Sequence, residues 1–378
     1  MHVGVDVRNL TAGPITGISR VLIQTAKELS RKGARFTFYW PGNRHASPLD
    51  DIADAHHVTG SFAGTVGRLV WSASELPWAV RRAPPDVFWG PAHRLPFFMP
   101  SHVPMVVTIH DLVWHRYPKT MAPGRHLTDR MLMQAAIRRA DRIVAVSKAT
   151  AKDLTSVFGV SQIDVVYPGA TQTHVRSDEP LLPPAYLVDK PYALFVGTLE
   201  PRKNLERLLR AFVLARGGGS KNWHLVVAGG KGWKDHQVRQ TLEPLVASGY
   251  VHVTGYVSEA ELSALYAGAR FLALPSLYEG FGLPIIEAQQ YGIPVLASHC
   301  GSLPEVAGSG GLIVDPRNEQ EIASAMERLF ASDDLHASLA FAARENVRRF
   351  TWDKCADGMI AAFEAARSHS VLRAASRS

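Results

Sequence analysis

The sequence predicts an α/β fold of two doubly wound parallel-sheet domains that face a cleft. Short apolar runs, typical of buried strands, alternate with segments whose apolar residues recur at helical spacing. This alternation stops in residues 171–190, which contain several prolines and keep no period, and then begins again. A length of 378 residues is long for one core and suits two. We therefore expect an N-terminal domain over 1–170, a linker over 171–190 and a C-terminal domain over 191–351, with 352–378 as a last helix and a tail.

The first half is predicted to begin with a strand, a glycine-containing loop and a helix, Val3–Val7, Asn9–Gly17 and Ile18–Arg31. Residues Asn43–Arg82 are predicted to be irregular, apart from a helix carrying Trp71 and Trp78. The remaining predicted strands are Phe36–Tyr39, Asp86–Trp89, Met105–Ile109, Arg142–Ser147 and Ile163–Val166, and the remaining helices are Gly124–Arg139 and Lys148–Phe158.

The second half repeats the pattern. Its predicted strands are Tyr192–Val196, His224–Ala228, Val251–Val253, Phe271–Leu274, Pro294–Ala297 and Gly311–Val314. Its predicted helices are Leu205–Ala215, Glu259–Ala267, one beginning near Pro284, Glu319–Phe330, Leu335–Phe350 and Trp352–Ala365, followed by a frayed basic tail, Ser368–Ser378.

The formal charge of +7 is confined to the first half. Residues 1–180 hold 21 Lys and Arg against 14 Asp and Glu, and the remainder holds 20 of each. A basic half suits nucleic acid, an anionic membrane or an acidic substrate, or consists simply of solvated arginines. Because no nucleic-acid-binding motif accompanies the charge, we expect no nucleic-acid partner.

The two cysteines, Cys300 and Cys355, are far apart and lack metal-ligand spacing, which suits a reducing cytosol. The N-terminus, MHVGVDVRNL, lacks the pattern of a signal peptide, and no run approaches the length of a membrane span. We therefore expect a cytoplasmic protein, with peripheral attachment at the inner membrane face as the second option.

The segment Tyr278–Gly292, YEGFGLPIIEAQQYG, combines a glycine loop with two carboxylates eight positions apart, Glu279 and Glu287. It follows an apolar strand and leads into a helix, because Pro284 suits a first helical turn. Such a loop lets a ligand approach the backbone, and the helix N-terminus favours an anion. For an isolated pair of glutamates, an ordinary strand–helix corner with one capping and one solvated side chain is the more common arrangement.

Two other segments carry candidate binding residues. The loop 197–204, GTLEPRKN, places Arg202 and Lys203 just before a helix, where a forked guanidinium and an ammonium suit a diphosphate. The predicted strand Met105–Ile109 ends in His110, and the carboxyl ends of parallel strands are the ligand-binding edge of α/β sheets. The alternatives are an exposed basic turn and a histidine satisfied in the core.

Taken together, these motifs resemble those of retaining glycosyltransferases of the GT4 family, which have the GT-B fold of two Rossmann-like domains. E-G-F-G-L-P-x-x-E-A resembles the family signature, G-T-L-E-P-R-K-N its phosphate loop and T-I-H-D its strand-end histidine segment. T-G-I-S-R resembles the acceptor-side glycine loop, and F-T-W the start of a last helix that crosses back to the first domain. V-V-Y-P-G-A departs from the interdomain V-x-P-N-G segment, since no Asn stands between Pro168 and Gly169.

The resemblance implies roles for individual residues. His110, Glu279, Arg202 and Lys203 would be catalytic, by contacting the sugar near the reacting centre and holding the leaving diphosphate. Glu287 would bind the ribose hydroxyls. The donor-binding set would be Gly17, Gly197, Arg202, Lys203, Glu279, Gly280, Phe281, Gly282, Leu283 and Glu287.

The family commonly uses front-face attack without an enzyme nucleophile. No cofactor is expected, and no metal, since the chain has no Asp-x-Asp triplet and its histidines lack zinc spacing. The implied partners are a nucleotide sugar and a lipid-linked or oligosaccharide acceptor, with the basic N-terminal domain facing an anionic membrane. The best candidate donor is GDP-mannose, for surface polysaccharide synthesis. A UDP-sugar transferase, a nucleotide-sugar 2-epimerase and a non-catalytic binding module stay as alternatives.

Overall fold

The computed structural model describes residues 1–10, 16–44, 46–62, 64–121, 124–170, 184, 187, 190–217, 221–230 and 236–375. The chain divides into two compact units. Unit 1 comprises Met1–Trp114, Gly124–Gly169 and Thr351–Ser378, and unit 2 comprises His115–Pro123 and Ala170–Phe350. The short segment His115–Pro123 therefore belongs to unit 2, although the sequence places it inside the first domain. Most of the predicted linker lies outside the described residues.

Unit 1 is built on a parallel sheet of seven strands in the order β3-β2-β1-β4-β5-β6-β7. These strands are β1 (His2–Asp6), β2 (Arg35–Trp40), β3 (His56–Thr59), β4 (Val87–Gly90), β5 (Met105–Ile109), β6 (Arg142–Ala145) and β7 (Ile163–Val165). Its helices are α1 (Gly17–Arg31), α2 (Gly64–Ala73), α3 (Glu75–Arg82), α5 (Arg125–Arg139), α6 (Lys148–Phe158) and α14 (Trp352–Ala375), and α4 (Val113–Arg116) lies at the border of the two units.

Unit 2 is built on a parallel sheet of six strands in the order β10-β9-β8-β11-β12-β13. These strands are β8 (Tyr192–Val196), β9 (His224–Ala228), β10 (Val251–Gly255), β11 (Phe271–Leu274), β12 (Val295–Ser298) and β13 (Gly311–Val314). Its helices are α7 (Leu205–Ala215), α8 (His236–Ala247), α9 (Glu259–Gly268), α10 (Leu283–Gln290), α11 (Leu303–Ala307), α12 (Glu319–Ala331) and α13 (Asp333–Val347).

The last helix, α14, packs into the core of unit 1 as expected. Its buried residues Cys355, Met359 and Phe363 join the cluster formed by strand residues such as Val5 and Trp89. The helix continues to Ala375. The prediction that the chain frays from Ser368 was therefore wrong for residues 368–375. The reason is that neither Gly nor Pro interrupts residues 366–375.

Four of the described strands and α-helices were missed by the sequence pattern, and one of them is α4, which has only four residues. Strand β3 is an edge strand with mostly exposed residues, so it lacks an apolar run. Helix α8 contains Pro244 in its interior, which sequence rules take as a helix break. Helix α11 has only five residues, too few for a period to be recognised. In addition, Trp71 and Trp78 lie on two successive helices and not on one.

Candidate active site

The strand order of unit 2 brings two separate loops together. Strand β8 pairs with β9 on one side and β11 on the other, so successive strands are added on one side of β8 up to β10 and on its other side from β11 onward. The loop after β8 carries Arg202 and Lys203, and the loop after β11 carries Glu279. At such a switch point the two strand-end loops lie side by side and form the usual ligand crevice of α/β sheets.

Glu279 is held between both cations. One of its carboxylate oxygens accepts a hydrogen bond from Arg202 Nη1 at 2.7 Å, and the other accepts one from Lys203 Nζ at 2.7 Å. Arg202 also donates to the Tyr278 carbonyl at 2.7 Å and, through Nη2, to the carboxylate of Glu200. All four charged side chains are largely shielded from solvent. The cluster thus balances two cations with two carboxylates.

The ion pairs keep Glu279 ionised although it is buried. Burial by itself raises the pKa of this carboxyl, but the charges and hydrogen bonds of Arg202 and Lys203 outweigh that effect and lower the pKa to about 2. Glu279 is therefore an acceptor of hydrogen bonds at neutral pH, which suits the donor O–H groups of a sugar. It is not a proton donor in this state.

Both loops are fixed by partners that the sequence analysis did not single out. Asn204, in a left-handed conformation at the start of α7, donates its amide to the carbonyls of Pro275 at 3.0 Å and Pro316 at 2.7 Å. Ser302 directs its hydroxyl at the carbonyls of Glu279 and Phe281, at 3.1 and 2.7 Å. The backbone around the carboxylate is thereby tied to the ends of three strands.

Helix α10 begins with the predicted geometry. Gly282 caps it with a φ of 99°, which favours glycine, and Pro284 lies in its first turn. Phe281 is buried and packs edge-on against Phe350, with ring centroids 5.6 Å apart. Leu283 opens the helix, and Gly280 precedes the buried ring. The predicted donor-binding backbone is therefore a rigid strand-to-helix turn.

Glu287 is buried on α10 and is oriented by a second helix. Tyr266 of α9 donates its hydroxyl to Glu287 Oε2 at 2.9 Å, and the Tyr266 ring stacks on Tyr291 at 5.7 Å. The sequence predicted this carboxylate as a ribose ligand but gave no sign of the tyrosine. Tyr266 lies far from the motif along the chain, so only the packing of α9 against α10 reveals it.

Two glycines lie close together where β8 and β9 end. A Cβ on Gly229, at the end of β9, would lie 2.0 Å from the carbonyl oxygen of Gly197, at the end of β8. A Cβ on Gly197 would in turn meet Lys203 Cε at 3.3 Å. Gly197 was predicted from the loop motif. Gly229 was missed, and the signal that could have found it is the Gly-Gly pair directly after the β9 strand pattern.

His110 lies at the carboxyl end of β5 in unit 1. Its Nε2 donates to the Pro91 carbonyl at 2.7 Å, and since a carbonyl only accepts, this nitrogen carries the proton in the neutral ring. Burial and the neighbouring His93 lower its pKa to about 4, although Asp111 and the Pro91 hydrogen bond act in the opposite direction. At neutral pH the ring is therefore uncharged and suits an uncharged partner such as a hydroxyl group.

Gly17 is the first residue of α1, also in unit 1. The helix is capped by Thr16, whose hydroxyl accepts from the Ser19 amide at 3.3 Å. The preceding loop residues 11–15 lie outside the described part of the chain. The structure brings Gly197, Arg202, Lys203 and Glu279 together in unit 2, with Gly280–Leu283 and Glu287 following Glu279 on the same turn and helix. It places His110 and Gly17 at strand and helix ends of unit 1.

Among the described residues, no group of His, Cys, Asp and Glu has the geometry of a metal site. A search of the helices in that same part of the chain finds none long and apolar enough to span a membrane. Both cysteines are free thiols.

Comparison with known proteins assigns both halves of the chain. The model for glycosyl transferases group 1 matches residues 184–346, and the model for Glycosyltransferase Family 4 matches residues 15–171. The O-antigen chain mannosyltransferase B of Escherichia coli is 28% identical, over 93% of this chain and 96% of that protein. A D-inositol 3-phosphate glycosyltransferase of Rhodococcus erythropolis is 29% identical, over 96% of this chain and 78% of that protein.

Solved structures share the fold. Anabaena HepE in complex with UDP and glucose superimposes with a TM-score of 0.74 at 18% identity, covering 97% of this chain and 100% of that one. The sucrose-phosphate synthase of Thermosynechococcus elongatus gives a TM-score of 0.71 at 20% identity, covering 95% and 97%. The comparisons lend no support to an epimerase. The chain belongs to the GT4-type glycosyltransferases and has their GT-B fold, in which each of the two α/β units is built on a parallel sheet.

Proposed function

We propose that this protein is a retaining hexosyltransferase that moves mannose from GDP-mannose to a glycan or lipid-linked acceptor in surface polysaccharide synthesis. The observation that carries the proposal is the ionised Glu279 clamped between Arg202 and Lys203 at the switch point of unit 2. An acceptor-only carboxylate suits sugar hydroxyls, and the adjacent cations suit a diphosphate. Mannose is favoured by the similarity to the E. coli mannosyltransferase.

In the proposed reaction the bond between the sugar anomeric carbon and the diphosphate oxygen breaks, and the diphosphate leaves with the electron pair. The acceptor oxygen bonds to the same face of that carbon, and its proton passes to the leaving phosphate. Arg202 and Lys203 stabilise the charge that develops on the diphosphate, and Glu279 and His110 hold sugar hydroxyls. Glu287, oriented by Tyr266, takes the ribose hydroxyls. No metal ion is assigned a step.

The donor is tested by thermal melting with GDP, UDP and ADP and with their sugar derivatives. Because a ligand that binds only the folded state raises the melting temperature, a selective shift identifies the nucleotide. We expect the shift with GDP and GDP-mannose, and we expect Arg202→Ala and Glu287→Ala to abolish it. Arg210→Ala on the exposed face of α7 is the matched control that keeps it. A shift with UDP alone would favour the UDP-sugar alternative. The absence of a shift with every nucleotide would contradict the proposed donor site.

Two further features of the proposal have separate tests. Retention is checked by NMR of the product, whose anomeric configuration must match that of the donor. Metal independence is checked by full activity in EDTA. An inverted product, or activity restored only by a divalent cation, would contradict these two features while leaving the donor assignment intact.

We also propose peripheral binding to an anionic membrane through unit 1. Two exposed aromatic rings, Trp78 and Phe98, lie beside arginines: Arg82 stacks over the Trp78 ring at 4.5 Å, and Arg81 donates to the Phe98 carbonyl at 3.2 Å. Aromatic rings with basic neighbours suit the interface of an anionic bilayer.

The test is sedimentation with vesicles of anionic or zwitterionic lipid. We expect salt-sensitive binding to the anionic vesicles only, weakened several-fold in the double variant Trp78→Ser/Phe98→Ser. The matched control is Phe341→Ser, which removes an equally exposed ring from unit 2. Equal recovery in the supernatant with and without anionic vesicles would contradict membrane binding.

A further inference from the structure

His93 shares the ligand-facing edge of unit 1 with His110. It lies in the loop that follows β4, and His110 ends β5, which pairs directly with β4. The two rings touch edge to face, with centroids 5.4 Å apart and planes inclined by 73°. Because the carboxyl ends of adjacent parallel strands meet at one edge, a ligand at His110 is within reach of His93.

The backbone of His93 is held in an unfavourable conformation. Its φ is 62°, in the left-handed region that non-glycine residues seldom adopt. Its amide donates to the Thr108 carbonyl at 2.9 Å, which fixes the loop against β5. The close turn also needs Gly90, where a Cβ would lie 2.2 Å from the Arg94 carbonyl oxygen. The contacts of the surrounding loop thus hold His93 in this backbone conformation.

The side chain of His93 carries a second cost. Its Nδ1 is buried and finds no hydrogen-bond partner in the part of the chain that the structure describes. A buried polar atom without a partner is destabilising, and an apolar ring of similar shape would avoid that cost. A strained backbone and an unsatisfied nitrogen at one residue, beside a binding histidine, together indicate that the imidazole serves a ligand.

The surroundings define the chemistry of that ligand. Asp129 receives hydrogen bonds from Arg94 at 2.7 Å and Arg125 at 3.3 Å, so this carboxylate is engaged outside the imidazole pair. Burial lowers the pKa of His93 as it does that of His110. Two neutral imidazoles carry no charge to offset that of a phosphate, and their acceptor nitrogens suit the O–H groups of an uncharged ligand.

We propose that His93 is a second sugar-contacting residue, which hydrogen-bonds through Nδ1 to a hydroxyl group of the transferred sugar beside His110. The assignment rests on the proposed function. It goes beyond it in naming a residue of the β4 loop as a determinant of donor-sugar recognition, whereas the nucleotide is bound by residues of unit 2.

Two variants separate the nitrogen from the ring. His93→Phe keeps a ring of similar shape but removes Nδ1. His93→Asn tolerates the positive φ and keeps a polar atom at the δ position. For each variant and the wild type, the affinities for nucleotide diphosphate and nucleotide sugar, kcat/KM for transfer, and the melting temperature are measured. The nucleotide found in the melting screen is the probe.

We expect His93→Phe to bind the nucleotide diphosphate as well as the wild type, with little change in melting temperature, because removal of the unsatisfied nitrogen offsets the added strain of Phe at this positive φ. Its affinity for the nucleotide sugar should fall about 10-fold and its kcat/KM about 10- to 100-fold, the effect of one lost hydrogen bond to a hydroxyl. His93→Asn should recover part of both. A purely structural role would make the melting temperature and both affinities change together.

Three results would overturn the inference. If His93→Phe keeps the transfer rate and the donor affinity of the wild type, His93 makes no hydrogen bond to the sugar. A change in the acceptor KM alone would mean that His93 contacts the acceptor and not the transferred sugar. A loss of activity shared equally by His93→Asn and His93→Phe would mean that Nδ1 is not used. If the wild type itself binds no nucleotide diphosphate, the proposed function fails first, and that outcome is distinguishable because His93 is not assigned to the nucleotide.

Discussion

The charged cluster of unit 2 and the histidine pair of unit 1 lie at equivalent places, the carboxyl ends of parallel strands, yet they are built in opposite ways. Arg202, Lys203 and Glu279 are ionised and satisfy one another at hydrogen-bonding distance. His93 and His110 are neutral, and one imidazole nitrogen of His93 has no partner among the described residues. The first arrangement suits a charged ligand and the second an uncharged one.

Under the proposed function, the two regions have different roles in recognising a sugar nucleotide. Compensated charges keep the unit 2 crevice stable while preserving ionised groups for the diphosphate and sugar. In unit 1, the Nδ1 atom of His93 has no partner among the described residues, which costs stability but leaves it able to hydrogen-bond a hydroxyl group. Four measurements can contradict or refine this division.

The two regions should lose stability in different pH ranges. Glu279 has a depressed pKa, so its contribution is complete above the ordinary value of 4.5 and is lost as the pH falls towards 2. The pKa of His110 falls from 6.5 to about 4 on folding, so the unfolded state binds more protons between these values, and stability decreases from pH 6.5 downward. Each effect amounts to about 3 kcal/mol.

Urea unfolding of the wild type, Glu279→Gln and His110→Phe across this range measures both contributions. The stability difference between the wild type and Glu279→Gln should vanish between pH 4.5 and 2, and the difference from His110→Phe should fall between pH 6.5 and 4. Coincident ranges for the two variants would contradict the division.

Glu279→Gln should reduce transfer about 100-fold, because a hydrogen bond from a sugar hydroxyl to a charged acceptor contributes about 1.5 to 3 kcal/mol. Nucleotide diphosphate binding should be kept or strengthened, since the substitution removes a negative charge beside Arg202 and Lys203. Steady-state kinetics and calorimetry measure the two effects. Glu206→Gln, at an exposed pair on α7, is the control with no change. Equal losses of sugar transfer and nucleotide affinity would show that Glu279 contributes to nucleotide binding as well as to sugar binding.

Gly229→Ala should destabilise unit 2 by about 2 kcal/mol and weaken nucleotide binding, because the added Cβ would lie 2.0 Å from the Gly197 carbonyl. Gly90→Ala should destabilise unit 1 to a similar extent, for the analogous contact with Arg94, while nucleotide affinity stays unchanged. Gly230→Ala meets no atom within 4 Å and serves as the control. Melting curves and nucleotide titrations of the three variants test this, and reduced nucleotide affinity in Gly90→Ala would count against the division.

Tyr266→Phe should weaken nucleotide binding about 5-fold, since it removes one hydrogen bond, worth about 1 kcal/mol, that orients Glu287. The variant keeps the ring that stacks on Tyr291, so its melting temperature should change by only a few degrees. Isothermal titration with the nucleotide measures the loss. Undiminished affinity would show that α10 orients Glu287 without the tyrosine.

The local parts of this site could be predicted from the sequence pattern. The sequence around Glu279 predicts a strand, a glycine loop and a helix, because an apolar run, a Gly-Phe-Gly-Leu-Pro turn and a helical period follow one another within a short stretch. Several strands and helices, among them Tyr192–Val196 and Leu205–Ala215, have the bounds that the pattern predicted. Their signals are local, and unit 2 buries them as the pattern requires.

Tertiary structure decided which of those parts meet. Arg202 and Glu279 are 77 positions apart, and they form an ion pair because the sheet places β8 beside β11. The contact of His93 with His110 depends in the same way on the pairing of β4 with β5. No local pattern encodes such a neighbourhood, since strand order is fixed by packing of the whole sheet. The chemistry of each loop therefore follows from its own residues, whereas the fold sets which loops meet. It pairs the charges of one region, and in the other it leaves His93 Nδ1 without a partner among the described residues.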